Sequence, residues 1–262
     1  MESFDIGRTF SRTWALLRQS IAGVGVFVLI VTAASMAIQG VTSSMFVDQL
    51  QAARSGADPL AGLRVFASGW YWLTVLVSLT VTSFSFAGAT FGMLNSAQGQ
   101  PAGFSDCARA GLAKLGPILA IFLLTYIGFL VGLLLLLVPG IIVALMWSVA
   151  TPALLAENLG VLDSFGRSRA LTKGSRGKIF LVLFLGVIVV YGVEWTVLGI
   201  ASGSGPSGFL FARRDHPALY LVQLPMIWGV TMTFVALQVS IYLETLAIKG
   251  GGPAGHLDQV FA

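Results

Sequence analysis

Charge is what this chain has least of: Asp, Glu, Lys and Arg make up 10% of its 262 residues. A soluble globular domain carries about 25%, so a water-facing surface of this size could not be covered. Cysteine occurs once, at Cys107, which excludes an intrachain disulfide. Histidine occurs twice, at His216 and His256, both in polar, turn-rich contexts. No Ser-His-Asp set and no Cys/His metal spacing can be assembled. The expectation is therefore no catalytic residues, no cofactor and no metal, which argues against an enzyme. What fills the chain is apolar: 56% hydrophobic residues and a mean hydropathy of +0.88. Such a composition describes a polytopic membrane protein, a single integral membrane domain over 1–262. The net charge of +4 then reports orientation rather than nucleic-acid binding.

A helical span needs about 20 mostly apolar residues. Six segments qualify: 21–40, 70–94, 117–137, 140–156, 179–200 and 220–248. The first resembles a signal peptide, with Arg8, Arg12 and Arg18 before it and Ser35-Met36-Ala37 inside it. Its run from Ile21 to Ile38 is 18 residues, against about 7–15 for a signal core, so it reads as a retained span. Pro139-Gly140 is the natural break between the third and fourth spans, and Pro225 predicts a kink or a late start in the sixth. Eleven cations fall in the inner segments of an N-in, C-in topology, against Arg54, Arg64, Arg213 and Arg214 outside. The outer loop 41–69 has a surface-helix start signal at Asp58-Pro59. The outer loop 201–217 is rich in glycine and serine.

Three short stretches recur. Asp5–Arg8, Asp106–Arg109 and Asp163–Arg167 each place an aspartate three or four residues before an arginine. Each then leads into a span. Three copies of "amphipathic helix, span, span" use the whole chain, with repeats at 3–100, 102–157 and 160–250. At 100° per residue, Ile6, Phe10, Trp14 and Leu17 form one stripe, with Asp5, Arg8, Arg12 and Gln19 opposite. Phe104, Ala108, Gly111 and Leu115 form a second stripe, with Asp106 and Arg109 opposite. These predict helices lying in the membrane plane with cations at headgroup level. In the third, Leu162, Phe165 and Gly166 start a stripe that Arg169 and Lys173 continue. Either the helix ends early or those two snorkel to lipid phosphates. The fold class is thus all-α: six transmembrane helices in three hairpins, each introduced by an amphipathic interfacial helix.

The stretches "FDIGRTFSRTWALL" (4–17) and "ATPALLAENLGVLDSFGRSRALTKGSRGKIFLVLFL" (150–185) resemble the glycerophosphoryl diester phosphodiesterase membrane domain and its YciC-like bacterial inner-membrane relatives. In that group a span ends in an acid and a short turn, then a Ser-Arg-x-Leu-Thr-like helix precedes the next span. Glu157, Asp163, Ser168, Arg169, Leu171 and Thr172 occupy the matching places. The resemblance implies a bacterial inner-membrane fold. It implies no phosphodiesterase activity, which belongs to a separate soluble barrel with acidic and histidine metal ligands.

Three features invite chemistry. "TKGSRGK" (172–178) looks like a phosphate loop, but Thr172 and Ile179 hold the positions where a Walker loop needs glycine and Ser or Thr. Arg167, Arg169, Lys173, Arg176 and Lys178 therefore read as a positive-inside cluster, or as specific contacts to anionic lipid headgroups. Glu194 sits about 22 Å along its span from Ile179 at 1.5 Å per residue. It is either a functional intramembrane carboxylate or an interfacial one beside Trp195. Glu244, five residues before Lys249, reads more readily as snorkelling or cation-paired than as lining a pathway. "GATFG" (88–92) and "GFLVG" (128–132) permit close helix packing within one subunit, or self-association. The leading expectation is a non-enzymatic inner-membrane protein that binds membrane lipids or supports envelope homeostasis or a membrane complex, alone or as a homo-oligomer. The alternative is a small transporter or permease subunit using Glu194 or Glu244; a membrane-embedded enzyme comes third.

Overall fold

Lipid offers the backbone no hydrogen bonds, so an apolar chain of this composition folds as helices that satisfy themselves. The computed structural model describes residues 4–44, 64, 67–135, 137–202 and 218–249, and among them there is no strand. In chain order the helices are α1 (Ile6–Ser20), α2 (Val24–Ser44), α3 (Gly69–Ala97), α4 (Phe104–Ala113), α5 (Leu115–Leu135), α6 (Leu137–Met146), α7 (Ala150–Ala156), α8 (Val161–Thr172), α9 (Arg176–Ser202) and α10 (Ala218–Lys249). Among the described residues, six stretches are long and apolar enough to cross a membrane: α2, α3, α5, α6 with α7, α9 and α10. The chain is an integral, multi-pass membrane protein.

Three hairpins form, α2 with α3, α5 with α6, and α9 with α10. α10 also packs on α1, α2 and α3 and is the central post of the bundle. The share of each span that is buried separates inner from outer helices: 56% for the α6–α7 span, but 17% for α5 and 18% for α9. The outer helices turn Tyr126, Phe184, Ile188 and Trp195 away from the protein.

The small-residue patterns work inside the subunit. A Cβ on Gly88 would stand 2.6 Å from the Cys107 carbonyl oxygen and from the Phe27 ring, and one on Gly92 would stand 2.5 Å from Val24. The first pattern thus lets α2 and α4 close on α3. A Cβ on Gly132 would stand 2.5 Å from the Gly140 Cα, so the second lets the α5–α6 hairpin close.

Two breaks differ from expectation. Pro139-Gly140 lies within α6 near its start, where a missing amide donor costs nothing. The fourth span is instead interrupted at Trp147–Val149, between α6 and α7. Pro225 neither delays nor ends the sixth span; α10 starts at Ala218 and runs through it. The surface helix expected after Asp58, the 203–217 part of the second outer loop, Arg54, Arg213, Arg214 and both histidines lie outside the described residues.

Candidate functional site

One end of the bundle gathers α1, α4, α7, α8, the start of α9 and the end of α10, and with them nearly all the described charge. The assembly is held by cations reaching acceptors far along the chain. Lys178 Nζ donates to the Phe4 carbonyl at 2.8 Å. Lys249 Nζ donates to the Ala170 carbonyl at 2.6 Å and also to that of Lys173, closing the C-terminus of α8. Lys114 Nζ donates to Asn158 Oδ1.

Two carboxylates sit at span ends, each clamped by an arginine from an entry helix. Glu244 of α10 is 1% exposed. Its Oε1 accepts from Arg8 Nε at 2.9 Å and lies 2.6 Å from Arg8 Nη2; the Asp5 N–H also donates to it at 3.3 Å. Its Oε2 lies 3.5 Å from Arg12 Nη1, an ion-pair distance without a hydrogen bond. At the end of α7, Arg167 Nε lies 2.9 Å and 2.8 Å from the two oxygens of Glu157. The Tyr242 hydroxyl donates to Glu157 Oε1 at 3.0 Å, so α10 touches both clamps. A buried ion must be paired and hydrogen-bonded to be tolerated, and Glu244 is both through Oε1, while Glu157 is only half-buried.

The clamping helices share a pattern seen only once the pairs are located: Gly7-Arg8-Thr9-x-x-x-Thr13 and Gly166-Arg167-Ser168-x-x-x-Thr172. The hydroxyl positions four apart fall on one helical face, and that face is buried in both helices. Ser168 shows its use. Its hydroxyl donates to the Met146 carbonyl at 2.7 Å and accepts from the Val149 N–H at 3.3 Å, so α8 supplies partners to the backbone freed by the span break.

The entry helices therefore have three faces, where the sequence reading gave them two. In α1 the hydroxyl face docks on the bundle, Arg8 and Arg12 turn to Glu244, and Phe10 and Trp14 are exposed, with Arg18 stacked 5.0 Å over the Trp14 ring. Asp5 caps α1; the Arg8 N–H donating to it holds its carboxyl below the ordinary value. In α8 the stripe of Leu162, Gly166, Arg169 and Lys173 faces outward as one continuous surface, while Phe165 turns inward against Trp147. The helix does not end early at Arg169.

Of the five cations singled out from sequence, Arg167 and Lys178 are engaged within the protein, Arg176 is half-buried, and Arg169 and Lys173 are exposed. Glu244 is cation-paired. Glu194 lies in α9, and its side chain is outside the described ones. Arg8, Arg12, Glu157 and Tyr242 were not singled out as site residues; the match between residues 7–13 and 166–172 was the available signal. The chain matches no family model, no curated protein and no solved structure.

Proposed function

We propose that this protein is a non-enzymatic module of the bacterial inner membrane, its charged end cytoplasmic, that binds anionic lipid headgroups and supports envelope homeostasis or the assembly of a membrane complex. The observation that carries this reading is the outward stripe of α8, where Arg169 and Lys173 continue a line begun by exposed Leu162. Long cationic side chains beside apolar surface at a span entrance suit the headgroup layer. Each adds about 1 kcal/mol of attraction to an anionic leaflet. The Arg8–Glu244 and Arg167–Glu157 pairs neutralise two carboxylates that would otherwise oppose that attraction. The bias of cations to this end supports the N-in, C-in orientation, and the resemblance to the YciC-like family accords with an inner-membrane setting.

The test replaces Arg169 and Lys173 with glutamine and leaves Arg167 intact, because Arg167 is a structural partner. Anionic lipid co-purified per protein is expected to fall. Unchanged lipid in a normally folded variant would remove the reading's support.

A second reading, a small transporter or permease subunit, draws on a cavity of about 130 Å³ between α2, α3 and α10, lined in part by Thr32, Ser35, Gln39, Ser85 and Thr231. Polar groups gathered at membrane depth are the expected lining of a solute path. Glu244 does not line it. A cysteine placed at Ser85 that a membrane-impermeant thiol reagent cannot reach would count against this path.

A further inference from the structure

The three entry helices are not equivalent in charge. Arg8 and Arg167 each meet a span-end carboxylate, Glu244 and Glu157. The span that precedes α4 ends in Leu94-Asn95-Ser96, where the others have Leu243-Glu244-Thr245 and Ala156-Glu157-Asn158. An amide stands in the acid's place. Among the described residues no ion pair joins Arg109 to a carboxylate.

Arg109 instead lines a cavity of about 450 Å³ between α3, α4 and the end of α7. That volume lies within the range of small-molecule sites, about 300–1,000 Å³. Lys114, Asn158 and Asp106 line it with Arg109, and Phe91 and Leu155 make its apolar part. Lys114 occupies Asn158 Oδ1, which leaves the amide NH2 to donate. Asn158 is held in the left-handed region at φ 48°, just past the C-terminus of α7. Asp106 Oδ2 accepts from the Gly103 N–H at 3.0 Å, so part of its acceptor capacity is used on its own helix. Two cations against one carboxylate leave a lining of net single positive charge. That suits a phosphodiester, which carries one negative charge, better than a dianionic phosphate monoester.

We infer that this cavity binds the phosphodiester of one anionic phospholipid, gripped by Arg109 and Lys114, with the glycerol end of the lipid against Phe91 and Leu155. The site rests on the reading that the charged end meets headgroups, but on residues separate from Arg169 and Lys173.

The test uses the full chain in detergent, washed free of loosely held lipid and titrated with phosphatidylglycerol under native mass spectrometry. The wild type is expected to retain one phosphatidylglycerol. Arg109→Gln/Lys114→Gln is expected to bind it about 30-fold more weakly, from about 1 kcal/mol per cation. Arg109→Lys, which keeps the charge, is expected to retain it and guards against a folding artefact. Retention of the lipid by the folded Arg109→Gln/Lys114→Gln variant overturns the site. If Arg169→Gln/Lys173→Gln alone loses the lipid, the pocket is wrong and the α8 surface is right. If the wild type prefers phosphatidylglycerol no more than phosphatidylcholine, both readings fall. Displacement by soluble glycerophosphoglycerol at equal concentration overturns the assignment to lipid.

Discussion

Removing Arg8 should harm the fold more than neutralising Glu244, although the two form one pair. Arg8→Ala leaves a carboxylate that is 1% exposed, with Arg12 3.5 Å away as its remaining cation. Stripping the partner from a buried ion costs about 3–5 kcal/mol. Arg8 is itself 41% exposed, so solvent screens its charge and the lower end, about 3 kcal/mol, is expected. Glu244→Gln keeps the volume and an acceptor for Arg8 and for the Asp5 N–H, and both arginines can turn to water. The bond survives as a neutral-acceptor one, and the difference from a charge-assisted bond is about 1 kcal/mol. In the double variant no buried charge is left behind, so its loss should fall short of the sum by about 2 kcal/mol. The assay is SDS titration of the detergent-solubilised protein, followed by tryptophan fluorescence, which includes Trp14 on α1. Equal losses for the two single variants, or an additive double variant, would refute the reasoning.

Ser168→Ala should cost about 1–3 kcal/mol by orphaning the Val149 N–H and the Met146 carbonyl, read as a lower unfolding midpoint and faster hydrogen exchange at Val149. Gly88→Ala should cost about 1–3 kcal/mol, because its Cβ would meet the Cys107 carbonyl at 2.6 Å. Gly166→Ala, whose Cβ meets nothing within 4 Å, should be neutral or gain up to about 1 kcal/mol of helix propensity; equal losses at the two positions would contradict the packing argument. Cys107 is buried, and burial with Asp106 beside it raises its thiol to about 11. Maleimide at pH 8 should label it slowly in the folded protein and promptly in SDS.

The spans were legible because lipid demands a long apolar run, which hydropathy reads directly. The entry helices were legible because three charged stripes recur. Their docking faces were not. Thr9, Thr13, Ser164, Ser168 and Thr172 are neither apolar nor charged, so a two-sided wheel assigns them to no face. The break at Trp147–Val149 was invisible for a related reason. Those residues hold no proline or glycine, and the interruption is completed by a hydroxyl on another helix, 22 residues from Met146. The Arg8–Glu244 pair spans 236 residues, and proximity of that kind has no local signature. Proline was less decisive than expected: Pro139 sits near a helix start, where the donor it lacks has no partner within the helix, and α10 starts before Pro225 and runs through it.

The depth of the two clamps bears on what they do. Glu244 lies five residues before the end of α10, roughly 8 Å at 1.5 Å per residue, and Glu157 follows directly on α7. Both therefore stand near the membrane surface, where a carboxylate costs far less than at the midplane. Each of these two acids ends a span and receives an entry helix. The arrangement fastens the amphipathic helices to the bundle. It also explains why the helix with an amide in the acid's place, α4, keeps its arginine for something else. An entry helix that is docked by packing through Cys107 and Gly111, rather than by an ion pair, can leave its arginine beside an open cavity without loosening the fold.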